Sequence, residues 1–168
     1  MFSKLRTGFP NLDALRIPLI AALARQGLIS AQYGRAMMAV FHNEHTNGNV
    51  THDVGAIGSG GPTDPLTMGD TTLPGGPSIG PGQVYFKTAW ELGLWDKGDR
   101  DGYIAFGSDP ANLGKMVDMA VQVFKSKLKM AGGDVASAIE LYNGAGDSAR
   151  LYQANALAFE SQVYGGQS

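Results

Sequence analysis

The sequence predicts a mainly α-helical single domain, residues 1–168, interrupted by one irregular segment. Three observations carry this expectation. Apolar residues recur at helical spacing in several stretches, and no convincing run alternates with the two-residue period of a half-buried strand. From Gly55 to Gly82, half of the 28 residues are glycine or proline, a composition that resists regular structure. A length of 168 residues suits one core, and a hydrophobic content of 43% is enough to build it.

The elements follow in order. Pro18 suits the first turn of a helix that runs to Gly27, a natural stop. Ser30 then caps "AQYGRAMMAVFHNEH", in which Tyr33, Met37, Val40, Phe41 and Glu44 share one helical face. The segment 55–82 is expected to be a long loop with at most a small hairpin, rather than a linker between two domains, because the halves are too short to stand alone. Helices resume with "VYFKTAWELG", which stops at Gly93. "NLGKMVDMAVQVFKSKL" carries Leu113, Met116, Val117, Ala120, Phe124 and Leu128 on one face. Asp134 caps "VASAIELYNG", whose Val135, Ala138, Ile139 and Tyr142 face one way. A last helix near 148–163 ends at Gly165.

Composition excludes several functions. The formal charge of -2 argues against a nucleic-acid partner, since phosphate binding asks for a basic face. With no cysteine there is no disulfide, thiol catalysis or cysteine-ligated zinc. The longest apolar stretch, 17–24, is too short to span a bilayer, and no export signal is visible.

The residues that could carry chemistry concentrate in "FHNEHTNGNVTHD", 41–53, which holds all three histidines. His42, His45 and His52 with Glu44 or Asp53 are plausible metal ligands by type. Their spacing is poor, because "HNEH" lacks the pattern that sets two histidines on one helical face. No metal or other cofactor is expected. "DKGDRDGY", 96–103, lacks the glutamate that closes a calcium loop and reads as a solvated acidic turn; "FKSKLKM" reads as a solvated helix surface. Glu44 is the unusual residue. A glutamate in line with an apolar stripe, at the negative end of a helix, should hold its proton to higher pH than usual, as a general acid requires. The same spacing equally allows it to lie just past the last turn and point at water.

Four motifs in order weigh on that choice: "FHNEH", "SIGPGQV" (78–84), "SDPANLGKM" (108–116) and "GDVASAIELYNGAG" (133–146). Together, across roughly residues 15–160, they resemble the soluble lytic transglycosylases, peptidoglycan-cleaving relatives of goose-type lysozyme. The resemblance implies a lysozyme-like α-helical domain with its glycine- and proline-rich loop beside the cleft. It makes Glu44 the single catalytic acid and aligns Ser78, Gln83, Tyr142, Asn143 and Tyr152 with residues that line the glycan groove. Asn112 matches an asparagine read as a structural cap. The sequence departs from the family in placing His45 after the glutamate, Gly82 before the glutamine, and Gln83 much farther beyond the acid. The cleft serine is ambiguous, because Asp53 sits at the usual distance, and an inward Asp53 would supply a second carboxylate.

The implied reaction breaks the bond between N-acetylmuramic acid and N-acetylglucosamine in peptidoglycan and closes a 1,6-anhydro ring. Glu44 acts as acid and then as base, without metal or cofactor. A lysozyme-type hydrolase and a non-catalytic glycan-binding part of a virion or secretion machine are the competing expectations. Lack of an export signal fits a bacteriophage protein made in the host cytoplasm and acting on the cell wall, delivered by a virion or released through a holin. The loop is expected to be a flap that orders on the glycan, so that shortening it weakens binding and leaves thermal stability nearly unchanged.

Overall fold

The computed structural model describes residues 1–166 and is mainly α-helical. A 3₁₀ turn (Phe2–Leu5) and a short helix α1 (Pro10–Asp13) precede α2 (Arg16–Arg25). Then come α3 (Ala31–Thr46), a long stretch without helix or strand, and a minimal hairpin of β1 (Ser78–Ile79) and β2 (Val84–Tyr85). The two strands are antiparallel, with Ser78 opposite Tyr85 and Ile79 opposite Val84. The chain continues through α4 (Phe86–Glu91), α5 (Arg100–Ser108), α6 (Leu113–Met130), α7 (Val135–Asn143) and α8 (Asp147–Tyr164).

Helix α3 is the axis of the molecule. Ser30 caps it as its sequence predicts, its side chain accepting the amide of Tyr33. Every residue from Ala36 to Asn43 is buried, so the helix is enclosed on all sides rather than on the single stripe that its spacing suggested. Helices α2, α7 and α8 pack on it, while α6 bridges α2 and α7. Enclosure explains its run of Ala36, Met37, Met38 and Ala39, and the burial of polar His42 and Asn43. Asn47 ends the helix in the left-handed conformation (φ 51°), which asparagine tolerates. Glu44 therefore lies inside the last turn, not beyond it. The hydrophobic core extends from Leu5 to Tyr164. Among the described residues, no helix is long and apolar enough to cross a membrane.

Three expectations need correction. The acidic stretch 96–103 is not simply a turn: the Asp99 carboxylate accepts the Gly102 amide and starts α5, and Tyr103 is fully buried with its hydroxyl donating to Val84 O. Asn112 does not cap α6 with its side chain, which instead donates to Phe106 O at the end of α5. Asp109, accepting the Ala111 amide, is the local cap.

The loop is also not a free flap. Its centre is Asp64, only 3% exposed, whose carboxylate accepts the amides of Gly58, Gly60 and Leu66 at 2.8–3.0 Å. Burial works to raise that carboxyl's pKa, but the three amides outweigh it and hold it below the ordinary value. Farther along, Gly69 N–H bonds to Ser78 O, and Lys87 N–H to Gly75 O. The Arg100 guanidinium donates to the carbonyls of Thr71 and Leu73. Residues 76–82 are buried. The segment is held by side chains reading backbone, which no hydrophobic period announces.

Candidate functional site

The site grows from the C-terminal turn of α3. Glu44 is half-buried, with dense protein on most sides and its remaining surface on open space. Burial raises its carboxyl from 4.5 to about 7, against a smaller downward pull from the Tyr152 hydroxyl. That hydroxyl, from α8, donates to Glu44 Oε1 at 2.7 Å. With Oε1 accepting that hydrogen bond, Oε2 is the oxygen left to carry the proton. Asn43 steadies the arrangement by donating its amide to Tyr152 O.

Three cavities meet at Glu44. One of about 250 Å³ lies toward the hairpin and is lined by Ser78, Gln83, Tyr142 and Asn143 among others. One of about 560 Å³ lies toward the loop, with Asp53, Pro62 and Thr63. A third, of about 340 Å³, lies along α8, with Asn143, Tyr152 and Asn155. A chain-like ligand laid across the end of α3 would pass the carboxyl with room on both sides. A separate cavity of about 520 Å³, beside Trp95 and Phe106, shares no residue with these three.

All six residues that the resemblance brings forward border these cavities, but their local roles differ. Tyr152 bonds Glu44 directly and also lines the cavity along α8. Tyr142 donates to Gly82 O at 2.8 Å, tying α7 to the hairpin turn. Asn143 is exposed at the end of α7 and lies between two of the cavities. Ser78 and Gln83 are bound to each other: the serine hydroxyl donates to Gln83 Oε1 at 2.7 Å. The Gln83 amide nitrogen donates to Thr67 O and Gly80 O, so both its hydrogens hold the loop. Gln83 does this from a positive φ of 44°. Its first duty here is to brace the cleft wall.

Gly82, where the resembled family carries methionine, has a steric reason. A Cβ there would stand 2.5 Å from both Ala120 Cβ and the Tyr142 hydroxyl oxygen. The hairpin turn lies directly on α6 and α7 and leaves no room for a side chain.

The histidines part company. His42 is buried in a three-ring cluster with Phe9 and Phe159, with Nε2 2.8 Å from His52 O; burial lowers its pKa. His45 places Nε2 3.0 Å from Pro81 O, fastening the end of α3 to the hairpin turn, and burial lowers its pKa too. His52 is exposed and meets Asn49. Among the described residues, no group of three or more His, Cys, Asp or Glu side chains is placed to hold a metal ion. Asp53 borders the cavity of about 560 Å³, yet its two oxygens accept the amides of Asn11 and Leu12 at 2.9 and 3.0 Å. It caps α1 across 41 residues of sequence.

Sequence reasoning missed Lys127, which it assigned to a solvated surface. Lys127 is half-buried and lines the cavity toward the hairpin. The signal was present, since Ala120, Phe124 and Lys127 fall at i, i+4 and i+7, the spacing that also marked Glu44. No model of a known protein family, no curated protein and no solved structure matches this chain.

Proposed function

We propose that this protein is a peptidoglycan lytic transglycosylase with Glu44 as its acid and base. The observation that carries the reading is a single carboxyl, raised to about 7 by burial, at the meeting point of three cavities and oriented by the Tyr152 hydroxyl. Such a group is protonated in a useful fraction near neutral pH and can give its proton to a leaving oxygen.

The steps balance without an outside reactant. Glu44 protonates the glycosidic oxygen, the bond from that oxygen to the muramic acid C1 breaks, and the N-acetylglucosamine leaves as an alcohol. Positive charge develops on the muramic acid ring, facing the now ionised carboxylate. The C6 hydroxyl of the same sugar then attacks C1, and its proton returns to Glu44. An internal nucleophile needs no second carboxylate to position water. The engagement of both Asp53 oxygens by backbone amides favours this route.

Hydrolysis is the second reading, favoured by one observation: Asp53 and Glu44 border the same cavity. Mass analysis of fragments released from purified murein separates the two. Anhydro ends are expected, reducing ends would assign a hydrolase, and intact murein would contradict both.

A further inference from the structure

Helix α6 brings one cation to the cleft. Among the described residues, Lys127 is the only lysine or arginine lining any of the three cavities at Glu44. Its neighbours Lys125 and Lys129 are exposed, whereas Lys127 is half-withdrawn from water. The ion pairs among the described residues join other groups, and none places a carboxylate within 4.0 Å of the Lys127 ammonium. Around it the wall is uncharged and polar, with Thr88, Tyr142 and Asn143. The one acidic neighbour lining this cavity is Glu44, which burial keeps largely protonated below neutral pH. An ammonium in this position is an unmet demand for an anion, and a partly desolvated cleft strengthens the pairing relative to open water.

We propose that Lys127 pairs with a carboxylate of the bound strand, so that the cleft selects acidic muramyl glycans over neutral N-acetylglucosamine polymers. This rests on the reading of the cleft as a glycan site. Two carboxylates have suitable chemistry: the lactyl acid of a muramic acid without peptide, and the acids of a peptide stem when the lactyl group is amidated. Chitin-type chains carry neither.

The test measures binding without turnover, in Glu44→Gln protein, by calorimetric titration. The probes are a muramyl oligosaccharide with free lactyl acids, the same chain with those acids converted to neutral amides, the peptide-bearing chain, and a chito-oligosaccharide of equal length. Carboxylate-bearing chains are expected to bind about three- to tenfold more tightly than the neutral ones. That preference should vanish in Glu44→Gln/Lys127→Met and persist in Glu44→Gln/Lys127→Arg. Whichever acidic chain shows it, lactyl or peptide-bearing, names the source of the carboxylate. A methionine variant that weakens acidic and neutral chains alike would overturn the proposal, as would a parent protein indifferent to the carboxylate. Failure of every glycan to bind would instead remove the glycan-site reading beneath it, and the proposal with it.

Discussion

Replacing Glu44 with glutamine should make the protein more stable than its parent, by an amount that grows with pH. Burial carries the Glu44 carboxyl from 4.5 to about 7. In the unfolded chain it ionises near 4.5, while the folded protein holds the proton until about 7. Between those values the folded state binds more protons than the unfolded one, so stability is full below the lower value and falls as pH rises through the upper. At about 1.4 kcal/mol for each tenfold shift in the proton equilibrium, the loss amounts to about 3 kcal/mol. That is an upper figure, because the carboxyl borders open cavities and solvent screens part of the cost. Glutamine cannot ionise and escapes the loss, while its side-chain oxygen can still accept the Tyr152 hydroxyl. The assay is urea unfolding of both proteins at steps between about pH 4.5 and about pH 8. Groups common to both, including Glu160, which burial also raises to about 7, cancel in the difference. A difference that stays flat across this range would refute the claim that Glu44 ionises late.

The other expectations follow from single contacts. In the proposed reaction Glu44 starts protonated, so the alkaline limb of kcat/KM should have its midpoint near 7. Tyr152→Phe removes the hydrogen bond that pulls this value down, so the limb should move to higher pH; an unmoved limb would detach Tyr152 from the acid. Gly82→Ala forces a methyl against Ala120 and the Tyr142 hydroxyl and should cost about 1–3 kcal/mol in urea unfolding, with a loss near zero contradicting the packing. Asp64→Ala leaves the amides of Gly58, Gly60 and Leu66 without their acceptor and should lower Tm by several degrees; an unchanged melt would mean that Asp64 does not order the loop.

What could be read from the sequence was whatever is local and periodic. The caps Ser30 and Asp134 and the apolar faces of α6 and α7 are signals within a few residues, and each lies where expected. Helix α5 was missed because Gly102 and Gly107 weaken helical propensity and the acids before it look like a turn. The apolar stripe on α3 understated its burial, because an enclosed helix needs small and apolar residues all round, and Ala36, Met38 and Ala39 supply them. The order of the loop was illegible in principle. Asp64 reaching three amides, Asp53 capping α1 and Gln83 bracing Thr67 O are long-range or non-periodic contacts. At the site, helical spacing left Glu44 open between the buried stripe and water, the resemblance alone brought it forward, and Lys127 was passed over although the same spacing on α6 marks it.

The most direct test of the central claim compares the parent and Glu44→Gln on purified murein, with circular dichroism and unfolding curves showing that the variant is folded. The amide keeps the shape of the side chain but has no proton to give. Release of glycan fragments is expected to fall by at least about a hundredfold. Near-parental release by a well-folded Glu44→Gln protein would mean that the proton comes from elsewhere, and the account would be wrong at its centre.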